Sequence, residues 1–167
     1  LELPDDLQEQ ACVLFESAQE ADLLQGRCIE GFAAAAVYAI CRTMSVSRTI
    51  DEIVAVASAE KDELKVAYGA LNRDLDLPTG PIDPTEYLAR FASELDVPSD
   101  LERRARELAT DAHEAGITTG RNPSGVAAAC LYTVARSVGY GLTQQAAADT
   151  AGVSAVTVRK TYYELRD

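Results

Sequence analysis

Tryptophan is absent from this chain, methionine and histidine occur once each, and aromatic residues make up only 6%. Runs that alternate β-branched and polar residues are missing too, which argues against a sheet. The four cysteines, Cys12, Cys28, Cys41 and Cys130, form no CxxC pair, and His113 is the single histidine. A zinc site built from them would need an unusual spacing. They read instead as small buried side chains in a reducing cytosol. No apolar run approaches the length of a membrane span, and no segment resembles a signal peptide. A soluble, cytoplasmic protein that meets no membrane is expected. A Gly-rich phosphate loop and a nucleophile–base constellation are both lacking. His113, within "LATDAHEAG", reads as helix surface, and the acid pairs Asp51–Glu52 and Asp62–Glu63 read as first-turn or solvated helix charges. An enzyme is therefore the weakest reading.

What is present points to helices. Apolar residues make up 47% of the 167, enough for a packed core in one ordinary domain or two small ones. Alanine runs in blocks such as "AAAA" at 33–36. It is the best helix former, and small side chains let helices approach closely. An all-α protein is expected. Only three of the 15 basic residues are lysine (Lys61, Lys65, Lys160), and the formal net charge is −12. Heavy negative charge with arginine over lysine suggests a cytoplasm rich in salt, where self-repulsion is screened. The charge is uneven. Residues 1–80 hold 15 acids and 6 bases, residues 81–114 hold 9 and 4, but residues 115–167 hold 3 acids and 5 bases. The acidic total therefore says little about the C-terminal segment.

An internal duplication organises the chain. Residues 1–71 align with 95–165 at a constant offset of 94, without a gap, and 21 of the 71 pairs are identical. "GRCIEGFAAAAVYAICR" (26–42) matches "GRNPSGVAAACLYTVAR" (120–136), Thr49 matches Thr143, and Tyr68 and Leu71 match Tyr162 and Leu165. The period is too long for a solenoid and fits two tandem domains. "LDLPTGPIDP" (75–84), with three prolines and a glycine, reads as a linker. The expected division is a first lobe over 1–77, a linker over 78–84 and a second lobe over 85–167. Helices are expected near 4–24, 29–44, 85–95 and 123–138. The stripe Ile29, Phe32, Ala33, Ala36, Val37, Ile40, Cys41 and Met44 is repeated by Val126, Ala127, Cys130, Leu131, Val134 and Val138. Asn122 suits an N-cap with Pro123 at the first helical position, and Thr49, Thr143 and Ser154 suit N-caps of later helices. The second lobe then has five helices and the first four. Because the chain begins at Leu1, the expectation is that the first lobe lacks its opening helix and that more protein lies N-terminal of it.

The duplicated halves each end in a helix-turn-helix pattern, but with different outer faces. In "TQQAAADTAGVSAVTVRKTYYEL" (143–165), Ala148, Gly152 and Val158 stand where such a motif needs a small crossing residue, a turn glycine and an apolar anchor. Val153, Val158, Thr161, Tyr162 and Leu165 can face inward, leaving Ala155, Val156, Arg159, Lys160 and Tyr163 outward. Such a face can enter a major groove. Arg159 suits a guanine edge, Val156 a thymine methyl, and Lys160 a phosphate. The plainer alternative is a solvated amphipathic helix with two incidental bases. The first half has Ser58 for Gly152, Asp62 for Val156, Lys65 for Arg159 and Val66 for Lys160. A carboxylate at the groove-facing tip is repelled by phosphate, so this half should not read bases in that way. Gly-Arg at 26–27 and at 120–121 precedes a helix start each time. Helix N-termini favour phosphate, which makes Arg27 and Arg121 candidate backbone contacts; a tight turn with a solvated arginine is the alternative.

These residues carry a resemblance. "GRCIEGFAAAAVYAICR…RTIDEI" and "GRNPSGVAAACLYTVAR…LTQQAAADTAGVSAVTVRKTYYEL" look like the two cyclin-type repeats of transcription initiation factor IIB, and of archaeal transcription factor B in particular. The acidic, arginine-rich composition resembles haloarchaeal members. The resemblance implies an all-α fold of two tandem cyclin-like five-helix repeats that straddle promoter DNA bent by TATA-binding protein, with the second helix-turn-helix reading the B recognition element. Val156 and Arg159 fall on base-reading positions, and Arg27, Arg121, Ser154 and Lys160 on phosphate or backbone contacts. The helix from Glu60 to Asp74 falls where the first repeat meets TATA-binding protein, with Lys61, Glu63 and Lys65 as contacts. RNA polymerase recruitment, and the zinc of an N-terminal ribbon, belong to a segment outside this chain, so no cofactor is expected here; a monomer is. One departure stands out: "AEKDELKVAY" (59–68) has Asp62 and Val66 where family members often carry bases. Two other functions share this pattern: a cyclin-like protein–protein adaptor without sequence-specific DNA binding, and a stand-alone regulator that needs no partner.

Overall fold

The alanine-rich stretches fold as helices between short polar turns. A computed structural model describes residues 2–166, so Leu1 and Asp167, the outer ends of the two expected lobes, lie outside the described residues. Among the described residues there are nine helices and no strand: α1 (Asp5–Glu20), α2 (Ile29–Thr43), α3 (Ile50–Val54), α4 (Lys61–Leu75), α5 (Thr85–Glu94), α6 (Ser99–Glu114), α7 (Pro123–Ser137), α8 (Gln144–Ala151) and α9 (Ala155–Glu164). Contacts divide the chain into two compact units, Leu1–Pro81 and Ile82–Asp167. The first holds α1–α4 and the second α5–α9.

The turns repeat with the sequence. The Gly-Arg turns both place glycine in the left-handed region, at φ 70° for Gly26 and 73° for Gly120, where a side chain is strained. Asp22 (φ 56°) and its counterpart Gly116 (φ 75°) are left-handed as well. This explains a difference from expectation. The first helix ends at Glu20 rather than near 24, because the left-handed Asp22 turns the chain and the Leu23 amide closes back on the Ala18 carbonyl at 3.0 Å.

In each unit one helix runs through the centre. α2 packs against α1, α3 and α4, and α7 against α5, α6, α8 and α9. Both are therefore buried on more than the single stripe their periodicity suggested: Ala34, Ala35, Tyr38 and Ala39 of α2 are buried, as are Ala128, Ala129, Tyr132 and Ala135 of α7. Conversely Ile29, Met44 and Val138 of the expected stripes are exposed, because they stand at or beyond helix ends. The second core joins Leu88 and Phe91 of α5, Leu101 and Ala105 of α6, Leu131 and Val134 of α7, Ala148 of α8 and Val158 of α9. The first joins Leu7, Ala11 and Leu14 of α1 to Ala36, Ala39, Ile40 and Cys41 of α2.

One face differs between the units. Ala127 and Leu131 of α7 are fully buried in the second core, whereas their counterparts Ala33 and Val37 are exposed and half-buried. These two border a groove of about 540 Å³ with Leu3, Ala11, Cys12 and Phe15. The segment after α4 is not free chain: the Thr79 hydroxyl bonds the Asn72 side chain at 2.7 Å, and Arg42 Nη2 donates to the Gly80 carbonyl at 2.7 Å.

Candidate nucleic-acid interface

The helix-turn-helix of the second unit is built from local rules. Thr143 caps α8 by accepting the Ala146 amide at 3.1 Å. Gly152 ends α8 in the left-handed region, at φ 65°, and the Val153 amide returns to the Ala148 carbonyl at 3.0 Å. Ser154 then caps α9, its Oγ accepting the Thr157 amide at 3.2 Å. Two residues thus separate one helix's C-cap from the next helix's start. The buried Ser124 of α7 locks this turn, donating from Oγ to the Ala151 carbonyl at 2.9 Å and sitting 2.8 Å from Asn122 Oδ1. Gly125 of α7 faces this turn: a Cβ there would meet Thr157 Cγ2 at 3.4 Å and Val153 Cγ1 at 3.5 Å, ordinary contact distances.

The outer face of α9 follows. Val158, Thr161 and Tyr162 are buried; Val156 and Tyr163 are 47% and 58% exposed. Arg159 and Lys160 are exposed, and among the described residues neither has an ion pair. Ala155, expected outward, is half-buried and packs against the core, because the first residue of α9 lies over the α8–α9 turn. Four of the candidate residues, Ser154, Val156, Arg159 and Lys160, therefore share one short helix and its cap.

The first unit shows the same helix order with looser geometry. α3 spans only Ile50–Val54, closed at its start by a reciprocal box in which Thr49 accepts the Glu52 amide and Glu52 accepts the Thr49 amide. Residues 55–60 then form a longer turn, without a left-handed residue at Ser58, the counterpart of Gly152. The pattern read in both halves is thus a tight helix-turn-helix only in the second. Lys61 pairs with Asp51 at 2.6 Å, Lys65 lies 3.8 Å from Asp62, and Glu63 Oε2 accepts the Glu60 amide at 2.8 Å. All three stand on the first turns of α4. Arg27 and Glu63 line one recess with Asp62, Val66 and Cys28.

The two turn arginines make one repeated contact. Arg27 Nη1 donates to the Leu23 carbonyl at 2.8 Å, and Arg121 Nε donates to the Ile117 carbonyl at 2.6 Å. Each reaches four residues back and clamps its own turn. Arg121 alone adds an ion pair, to Glu164 at the end of α9; the counterpart of Glu164 in the first unit is Ala70. So the pair brings a candidate phosphate ligand to the flank of the candidate reading helix, which no sequence pattern indicated.

A second cluster was also unforeseen, although its tyrosines are among the repeated identities. Tyr132 and Tyr162 meet edge-on at 5.2 Å, as Tyr38 and Tyr68 do at 4.8 Å. In the second unit Arg136 Nη1 donates to the Tyr132 hydroxyl at 3.3 Å, and Arg166 Nη1 to the Tyr162 hydroxyl at 3.0 Å. The Tyr162 hydroxyl, and then Tyr132, hold the Arg136 pKa above its ordinary value.

The cysteines depart from expectation. Cys41 and Cys130 are buried, but Cys12 is exposed and Cys28 half-buried, and all four are free thiols. Cys28 sits at the N-cap of α2, where its sulfur accepts the Gly31 amide at 3.4 Å, a role serine or asparagine usually takes. That hydrogen bond favours the thiolate, but desolvation and the Glu30 and Glu63 carboxylates outweigh it and raise the pKa. Among the described residues no three His, Cys, Asp or Glu side chains are grouped to hold a metal ion, and no helix is long and apolar enough to cross a membrane. His113 is exposed, its Nδ1 3.1 Å from the Thr118 hydroxyl.

Fold and site together define a duplicated all-α protein whose second repeat ends in a tight helix-turn-helix with an exposed basic face. Comparison with known proteins narrows this class. The chain matches the family described as "Transcription factor TFIIB repeat" over residues 1–74 and 78–167, and it belongs to that family. It is 59% identical over 161 residues to "Transcription initiation factor IIB 1" of Halobacterium salinarum, an alignment covering 96% of this chain and 56% of that protein. "Transcription initiation factor IIB" of Methanococcus maripaludis is 44% identical over 167 residues, covering 100% and 49%. A second Halobacterium salinarum protein, "Transcription initiation factor IIB 2", is 42% identical over 165 residues, covering 99% and 51%. The chain spans about half the length of the curated relatives it matches.

Proposed function

We propose that this chain is the core of a general transcription initiation factor, which binds promoter DNA together with TATA-binding protein and reads the B recognition element through α9. Its lobes are 1–77 and 85–167, joined by 78–84. Val156 and Arg159 address base edges. Lys160, Ser154, Arg121 and Arg27 address the backbone, which fixes register without carrying sequence information. Lys61, Glu63 and Lys65 on α4 face TATA-binding protein, and RNA polymerase is recruited by the wider factor. The chain performs no chemistry of its own. It works in the cytoplasm at high salt, and thermal stability that peaks at low KCl would contradict that setting.

The observation that carries this reading is the outer face of α9. Val156, Arg159, Lys160 and Tyr163 are exposed together, on a helix set by a tight turn, in the one segment where bases outnumber acids. The corresponding tip of α4 carries Asp62, which phosphate would repel.

A gel shift in high KCl on a TATA promoter, with and without TATA-binding protein, tests the reading. Binding should require TATA-binding protein, since the net charge of −12 opposes phosphate. Arg159→Ala should cost about 1–3 kcal/mol and relax base preference upstream of the TATA box. Equal loss on every sequence would reduce Arg159 to a phosphate contact. Firm binding without the partner would make the chain a stand-alone regulator, and no binding in either arm would favour a protein–protein adaptor.

A further inference from the structure

We infer that Arg136 and Arg166 form a second backbone-phosphate clamp, gripping the strand on the opposite side of the groove from Arg121. The inference rests on the proposed placement of α9 in a major groove. Its own observations are the cluster around Tyr162 and the angular order of side chains on α9 and just past its end.

The cluster is built to hold cations without neutralising them. Arg136 and Arg166 converge on one phenol ring, with guanidinium carbons 5.9 Å and 5.4 Å from the Tyr162 centroid. Their hydrogen-bond partners are the hydroxyls of Tyr132 and Tyr162, and Gln144 Nε2 fixes the Tyr132 hydroxyl from α8 at 3.2 Å. Both tyrosines are buried while both arginines are exposed. Among the described residues neither arginine has a carboxylate partner. Elsewhere in the same unit carboxylates answer four arginines, Arg90 with Glu94, Arg103 with Glu107, Arg106 with Glu102 and Arg121 with Glu164, while Arg104 and Arg159 stand without one among the described residues but share no ring with a second arginine. Among the described residues the exposed Arg136 and Arg166 guanidinium groups share one ring with no carboxylate beside them, which leaves their charge open to an anion from solvent. A phosphodiester supplies one negative charge and acceptor oxygens to both, and arginine suits it better than lysine. In the first unit the counterpart of Arg166 is Asn72, so the pair of arginines on one tyrosine is confined to the second unit.

Geometry gives the clamp its strand. At about 100° per residue, Glu164 lies roughly 80° to one side of Val156 around the α9 axis, and the same turn continued past the C-cap Leu165 carries Arg166 to the other side, the side of Arg159. Glu164 holds Arg121; Arg166 shares Tyr162 with Arg136. The base-reading stripe therefore has an arginine on each flank, Arg121 paired with Glu164 and Arg166 without a carboxylate among the described residues. A major groove about 12 Å wide has a phosphate backbone on each wall.

The test uses this chain with TATA-binding protein on a promoter duplex. Arg136→Gln and Arg166→Gln should each flatten the plot of log Kd against log [KCl] by roughly 0.9, the increment of one phosphate contact, while leaving the preference for the matched element over a scrambled one unchanged. Arg136→Lys should restore most of the slope, and melting temperatures report any folding defect. A methylphosphonate scan supplies a second readout. Neutral phosphates on one strand should cease to matter in the Arg136→Gln and Arg166→Gln proteins, and those on the other strand in Arg121→Gln. Wild-type slopes in both folded variants, or sensitivity of all three to the same strand, would overturn the clamp. A wild-type protein that does not distinguish matched from scrambled elements would instead overturn the placement of α9 on which the clamp rests.

Discussion

Gly31 and Gly125 occupy the same place in the two repeats, yet adding one methyl group should act oppositely on them. Both stand near the start of a central helix that faces the last helix of its unit. At Gly31 a Cβ would lie 3.1 Å from Glu63 Cβ, 3.1 Å from the Glu63 carbonyl oxygen and 3.2 Å from its carbonyl carbon. Two of those atoms are backbone in the first turn of α4, which is fixed by the Glu60–Glu63 capping box. They cannot rotate away, so α4 must shift, and overpacking of this kind costs about 1–3 kcal/mol. The gain in helix propensity from Gly to Ala returns up to about 1 kcal/mol. Gly31→Ala should therefore destabilise the first unit by up to about 2 kcal/mol. At Gly125 the nearest atoms are methyl groups of Thr157 and Val153 at 3.4 and 3.5 Å, ordinary contacts that fill space. Only the propensity term remains, and Gly125→Ala should be neutral or stabilising by up to about 1 kcal/mol.

Thermal melts of the two variants in the same KCl buffer check the sign. For units of this size 1 kcal/mol moves Tm by about 4–8 °C, so the unit carrying Gly31→Ala should melt clearly earlier and the one carrying Gly125→Ala no earlier than wild type. A Gly31→Ala protein as stable as Gly125→Ala would refute the reasoning. It would show that the first turn of α4 yields at no cost, and that the close approach of α2 does not explain the glycine.

Other consequences can be measured directly. Ser124→Ala removes the donor that meets the Ala151 carbonyl in a buried setting; stability should fall by about 1–3 kcal/mol, and a drop below a few tenths would mean that water takes the place of the hydroxyl. Iodoacetamide at pH 9 should label the exposed Cys12 in the native protein and leave Cys130 untouched until unfolding, because burial pushes the Cys130 thiol up to about 12. The same shift has a sign for stability. With the folded pKa above the unfolded value of about 8.5, the contribution is complete below that pH and drains away as pH rises toward 12. Cys130→Ala should flatten that alkaline decline in a series of melts, and an unchanged slope would contradict it.

Much of this architecture was legible because the sequence repeats. The offset of 94 pairs matching turns in the two halves, and the caps Thr49, Asn122, Thr143 and Ser154 all accept backbone amides where expected. The helix-turn-helix was legible for a similar reason: Gly152 and Val158 carry local requirements that a short window reveals. What was not legible depends on neighbours distant in sequence. A central helix is surrounded on several sides, so its hydrophobic period understates its burial, as Ala34 and Ala128 show. The Arg121–Glu164 pair spans 43 positions, and Glu164 reads in isolation as one more solvated acid. Arg136 and Arg166 are legible only once Tyr162 is known to face them both. Cys28 departs from the buried setting usual for a free thiol because its sulfur caps α2, a role that serine or asparagine ordinarily fills.

The acidity of the chain and its proposed DNA binding are compatible once distance is considered. The acids concentrate in residues 1–114, and Arg136, Arg159, Lys160 and Arg166, which lack carboxylate partners among the described residues, gather on and around α9. At about 1 M salt the screening length falls to about 3 Å, so remote carboxylates barely act on a duplex that touches α9. Strong salt takes something away as well, because it removes most of the affinity that comes from releasing counterions. A factor working there must rely on contacts that salt weakens less: Val156 and Tyr163 against apolar base surface, Arg159 in a bidentate bond, and a protein partner that already holds the DNA. It follows that Val156→Asp should abolish promoter binding at high KCl while Lys160→Ala is nearly silent, and that lowering the KCl should make Lys160 matter more. If Lys160→Ala were the more damaging change at every salt concentration, phosphate attraction would dominate and α9 would be a generic cationic helix rather than a reader.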